Sequence, residues 1–116
     1  MSEHFLRALE RVTRIRGVRS AMLVTLDDGL VVADASMEGV RGHAVAALAA
    51  SLAKRFTRVA QAATGGAPRF LHLQAEHGTL VIAVGPEEIL IVATGGPEMN
   101  VGLARLEMLR VAEVIA

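Results

Sequence analysis

The chain has 116 residues, no cysteine, and 12 basic against 12 acidic residues, a formal net charge of zero. That length supports one core and a single domain over 1–116, and the missing thiols exclude disulfides, thiolate metal sites and cysteine nucleophiles. Zero net charge removes any global pull toward nucleic acid, and three Phe with no Tyr or Trp leave almost nothing for bases to stack on, so no nucleic-acid partner is expected.

The opening MSEHFLRALER sets charges inside its apolar pattern, unlike a secretory leader. It reads instead as a first helix over residues 2 to 16, with Phe5, Leu9 and Val12 on one face, Leu6 and Ile15 beside it, and Ser2 placed to cap its start. Glu3 with Arg7 and Glu10 with Arg14 stand four apart in the favourable order on a solvated side. Gly17 ends the helix. Val18 to Leu26 is apolar at both alternating sets of positions, which predicts a strand covered on both faces. Asp27-Asp28-Gly29 turns the chain into a second strand, Leu30 to Ala35, and a loop from Ser36 to Gly42 follows.

His43 to Ala63 is the longest stretch without a breaker and predicts one long helix. At about 100° per residue it has three arcs. Val45, Leu48, Leu52, Phe56, Val59 and Ala63 form the stripe expected to lie on a sheet. Ala46, Ala49, Ala50, Ala53, Thr57 and Ala60 form a small-residue arc, which reflects either plain helix propensity or a seat for a second helix at close approach. His43, Ser51, Lys54, Arg58 and Gln61 form a polar, basic arc.

Thr64-Gly65-Gly66-Ala67-Pro68 stops the helix. Arg69 to Ala75 alternates Leu71, Leu73 and Ala75 against Phe70, His72 and Gln74, the pattern of a half-exposed edge strand. Thr79 to Val84 and Ile89 to Thr94, joined through Gly85-Pro86-Glu87-Glu88, read as strands buried on both faces. After Gly95-Gly96-Pro97, Asn100 can cap a last helix running from Val101 to the end, apolar on most sides and expected to pack on the sheet and beside another helix.

Short turns make each neighbouring strand pair antiparallel, and burial puts strands 1, 4 and 5 inside. The predicted fold is therefore an α/β (α+β) three-layer α/β/α sandwich with a five-stranded antiparallel sheet in the order 2-1-5-4-3. The long helix covers one face and the two terminal helices the other.

No catalytic constellation emerges. His4, His43, His72 and His77 sit in separate elements without metal-ligand spacing, Asp27-Asp28 and Glu87-Glu88 occupy turns, and neither diglycine belongs to a phosphate-binding fingerprint. The chain also has no nucleophile elbow and no H-E-x-x-H. The expectation is no catalytic residue, no metal and no cofactor. No apolar run approaches the roughly 18 residues of a membrane span, so no span and a cytoplasmic location are expected.

Interaction features are stronger. Two copies pairing their third strands edge to edge would bring the small arcs of two long helices together, which makes Ala46, Ala49, Ala50, Ala53, Thr57, Ala60, Phe70, His72 and Gln74 the candidate homodimer interface. Alternatively, Arg69 and Gln74 simply keep an open edge soluble.

Four stretches carry a resemblance: GVRSAMLVTLDDGLVV (Gly17 to Val32), the Ala-rich helix with its GGAPR break, LVIAVGPEEILIVAT (Leu80 to Thr94) and MNVGLARLEMLRVAE (Met99 to Glu113). Their order and spacing resemble the roadblock / dynein light chain domain family, and within it the bacterial gliding-protein regulators of Ras-like GTPases. The resemblance implies the same α-β-β-α-β-β-β-α order, a homodimer formed through the third strand and long helix, and binding of a small Ras-like GTPase without catalytic residues of its own. The polar arc of His43, Lys54, Arg58 and Gln61 is then the candidate GTPase contact, and Arg55 and Arg58 are not expected to act as arginine fingers. Rival readings are a ligand-sensing module, since profilin-like and sensor domains share such layered sheets but need a cavity, and a purely structural subunit.

Overall fold

The structure, a computed structural model, describes residues 2–37 and 39–116. Leu9 and Val12 lie under the first helix, α1 (Ser2–Thr13), and are fully buried, while Phe5 packs half-buried against the same core. The helix stops three residues earlier than expected, and turns lead to Gly17, whose φ of 90° is the left-handed conformation a glycine permits. The cap expected of Ser2 falls outside the described side chains.

The strands are β1 (Val18–Thr25), β2 (Val31–Asp34), β3 (Phe70–Ala75), β4 (Gly78–Val84) and β5 (Ile89–Gly95). Between β2 and β3 runs α2 (Gly42–Thr64), closed by Gly65 in the left-handed region, and the chain ends in α3 (Val101–Ile115). Asn100 caps α3 as expected, its side-chain oxygen accepting from the Leu103 amide at 3.1 Å. The sheet is antiparallel throughout in the order β2-β1-β5-β4-β3, so the topology follows the expectation. One irregularity was not foreseen: the β1–β2 register shifts between Leu23 and Val24, leaving Val32 as an extra residue on β2, a bulge that blunts an otherwise open edge.

Two cores lie on opposite faces of the sheet. Ala21, Leu23, Val81, Ala83, Ile91 and Ala93 face α1 and α3, while Met22, Val24, Ile82, Leu90 and Val92 face α2. The first face carries three alanines and receives the large side chains Leu9, Val12, Met108 and Val111. The second face is built of large side chains and receives small ones, as close packing at fixed layer spacing requires.

The link from α1 to β1 and the link from β5 to α3 touch without side chains between them. Gly96 N donates to Gly17 O at 3.0 Å, and a Cβ on Gly95 would run into that same carbonyl oxygen. Gly95→Ala is accordingly expected to cost about 2 kcal/mol through forced backbone displacement, read as a lowered melting temperature. Gly66→Ala, whose Cβ would meet only Thr64 Oγ1 at 3.8 Å, is the near-neutral control.

Candidate functional site

The residues of α2 facing the sheet are the small ones. Ala46, Ala49, Ala50 and Ala53 are 0–4% exposed and packed among Met22, Val24, Ile82, Leu90 and Val92. This corrects the expected orientation of the helix. Of the large apolar stripe only Val45 and Leu52 pack, half-buried, against this core, whereas Leu48 is 71%, Val59 60% and Phe56 41% exposed, and Ala63 is exposed as well. Four members of the small arc, Ala46, Ala49, Ala50 and Ala53, are already covered within their own chain. Thr57 and Ala60 are half-buried beside them, and the Thr57 hydroxyl is turned back to the Ala53 carbonyl at 2.8 Å. The cause lies in the sheet, whose α2 face is filled by large side chains and admits a helix only through its alanines.

Because α2 lies chiefly over β1, β2 and β5, the β3 end of this face keeps an open groove of about 520 Å3. Val45, Leu48, Leu52 and Arg55 form its helix wall, and Leu73, Leu80 and Thr94 line the sheet side. A smaller recess between Leu52, Phe56, Leu71 and His72 adjoins it. The site is thus an open, mainly apolar shelf walled by the exposed flank of α2.

β3 bounds this shelf as a free edge, since it pairs only with β4. Val84 N donates to Arg69 O at 3.0 Å, and Arg69 lies opposite Val84 when the β3–β4 register is continued by one residue. Bonding alternates along an antiparallel ladder, so odd-numbered residues of β3 bond to β4. Phe70, His72 and Gln74 therefore direct their N–H and C=O groups to the open edge. Phe70 is half-buried with Arg105 stacked over its ring at 5.2 Å. His72 and Gln74 are exposed, with Nε2 and Oε1 3.3 Å apart, and Gln74 Oε1 also accepts from Thr79 Oγ1 at 3.2 Å.

His43, Lys54, Arg58 and Gln61 are all exposed on α2. Lys54 reaches sideways from the other three, donating to the Asp27 carbonyl at 2.6 Å across the β1–β2 turn. Arg55 projects on the other side and lines the groove. His72 and His77, the nearest histidines in sequence, have separate partners, His77 meeting Glu76 at 2.9 Å. Among the described residues, no three His, Asp or Glu gather as a metal ion would need, and no helix is long and apolar enough to cross a membrane.

The residues that sequence reasoning assigned to the core, Leu48, Phe56 and Val59, are thus the exposed wall of the site, with Leu73 at 42% exposure on the facing strand. A signal for this was present. Strand positions of one parity hold Ala21, Ala83 and Ala93 while the other parity holds Met22, Ile82, Leu90 and Val92, so a helix rich in Ala fits only the second.

The model of the Roadblock/LC7 domain matches residues 5–94. The chain belongs to the Roadblock/LC7 domain family. Solved roadblock structures share its fold across nearly the whole chain. A Roadblock/LC7 domain from Streptomyces avermitilis is 19% identical with a TM-score of 0.85, covering 95% of this chain and 92% of its own. The gliding protein MglB from Thermus thermophilus is 23% identical with a TM-score of 0.86, covering 99% and 87%. An MglB in a tetrameric arrangement is 24% identical with a TM-score of 0.89, again covering 99% and 87%. No curated protein matches the sequence. The family match ends before α3, so the roadblock assignment rests on the part of the chain that builds the sheet, α2 and the groove.

Proposed function

We propose that this roadblock domain is a homodimeric regulator that binds a small Ras-like GTPase and activates or scaffolds it without a catalytic residue of its own. The observation that carries this reading is self-complementarity. One chain has a shelf lacking a helix beside a strand lacking a neighbour, and it also has a helix flank, Leu48, Phe56 and Val59, lacking cover. A two-fold axis between two β3 edges would join two five-stranded sheets and lay each α2 flank against its copy. The interface then uses Leu48, Leu52, Phe56, Val59 and Leu73, with Phe70, His72 and Gln74 offering the edge backbone. A specific dimer buries about 1,200–2,000 Å2 in total, which a strand and a helix flank from each copy would supply together.

Membership in the roadblock family and the fold shared with MglB gliding proteins support the regulator half of the reading. The polar side of α2, with His43, Lys54, Arg58 and Gln61, is the proposed GTPase contact, and a Ras-like partner sets the site of action in the cytoplasm. The open groove does not favour a small-ligand sensor, because such sites enclose most of their ligand. The test is the light-scattering mass of the protein, alone and with the Ras-like GTPases of its source organism loaded with GDP or a GTP analogue. Two chains per particle, growing with the GTP form, is the expected result. A monomer indifferent to every GTPase would overturn the reading.

A further inference from the structure

From Gly39 to Ala75 the chain contains no Asp or Glu, although it carries Arg41, Lys54, Arg55, Arg58 and Arg69. In a protein of zero net charge this is a segregation, and the carboxylates lie elsewhere. Asp27, Asp28, Glu87 and Glu88 are exposed on two turns joined by the Leu26 amide donating to the Glu88 carbonyl at 2.9 Å. Among the described residues, carboxylates form ion pairs only between Glu76 and His77 and between Glu107 and Arg110. Arg55 and Arg58, both exposed on α2, have no carboxylate partner among the described residues.

In the proposed two-fold pair the surfaces that meet are those of α2 and β3, which hold no carboxylate, together with Leu80 and Thr94 of the groove; Glu76, just past the end of β3, already lies against His77 at 2.9 Å. Arg55 stands beside the groove, where an unpaired guanidinium cannot be buried cheaply, so it must stay at the rim with its copy nearby. Pairing therefore doubles the local positive charge and concentrates it along two adjacent helices.

Resting on the GTPase-regulator reading, we infer that the outer face of the paired α2 helices takes an acidic protein surface, a carboxylate-rich face of the GTPase itself. Arg55 and Arg58 supply the charge from each copy. A long polyanion fits this face poorly. It would continue past Lys54 onto Asp27 and Asp28, where like charge opposes it, and the α2 basic arc offers no Tyr or Trp to stack on. A compact acidic patch meets the arginines and stops short of the acidic turns.

The test is the affinity of the intact protein for its GTP-analogue-loaded GTPase, measured at about 50 mM and about 300 mM salt, since exposed charge pairs are screened within a Debye length. The wild type is expected to weaken about tenfold with salt. The Arg55→Glu/Arg58→Glu variant should bind at least about tenfold more weakly at low salt, and the Arg55→Lys/Arg58→Lys variant should keep most of the affinity because charge rather than a fork is required. Arg58→Glu alone, which leaves the groove-lining Arg55 in place, separates loss of charge from disturbance of the dimer, whose mass is monitored throughout. Salt-independent binding, a charge-reversed variant with wild-type affinity, or preferential binding to a DNA duplex or phosphatidylserine vesicles would overturn the inference and leave the GTPase reading standing. A wild type that binds no GTPase overturns that reading and the inference with it.

Discussion

Leu48→Glu combined with Val59→Glu is expected to convert the proposed dimer to a monomer without unfolding the chain. In the single chain these side chains are 71% and 60% exposed, so the fold draws little on them, and a glutamate suits an exposed helix position in propensity. At a two-fold interface each substitution occurs twice. Losing burial of one large apolar side chain costs about 2 kcal/mol, so even one symmetric position removes on the order of 4 kcal/mol, about a thousandfold in the dimer constant. Light scattering should report one chain per particle while the far-UV circular dichroism spectrum is unchanged. A variant that keeps its dimer mass would place the seam elsewhere, the exposed α3 leucines Leu103, Leu106 and Leu109 being the next surface to try.

The opposite outcome is expected between these two positions on the same helix. Ala53→Glu should unfold the chain, because Ala53 is 1% exposed and surrounded by the apolar α2-side core. Overfilling that layer costs about 1–3 kcal/mol, and burying a carboxylate with no cation beside it adds several more. Such domains have only about 5–15 kcal/mol in total, so the expected reading is loss of cooperative melting. Ala62→Glu, exposed on the same helix, should leave melting within about 0.5 kcal/mol of the parent. If Ala53→Glu instead melted normally and lost its dimer mass, the small arc would be the seam after all.

These two substitutions separate what periodicity reveals from what it hides. Spacing on a helical wheel sorts Leu48, Phe56 and Val59 from Ala46, Ala49 and Ala53, but it does not say which arc the sheet accepts. Hydrophobicity alone favours burying the larger residues, and that rule predicted the orientation of α2 wrongly. Packing decided it, because Met22, Ile82, Leu90 and Val92 already fill the α2 side of the sheet, and close-packed layers exchange large for small.

By itself the sequence determined the element order, the turns and the strand order, since breakers such as Asp27-Asp28-Gly29 and Gly85-Pro86 act locally and doubly apolar strands such as Ile89–Gly95 must lie inside a sheet. It also determined that β3 is an edge, through the polar residues His72 and Gln74. Only the tertiary structure decided which flank of α2 is left uncovered, that a groove opens between it and Leu73, and that Lys54 turns toward Asp27 while Arg55 turns toward the groove. Those are relations between side chains distant in sequence, set by the volumes of facing layers rather than by any local pattern.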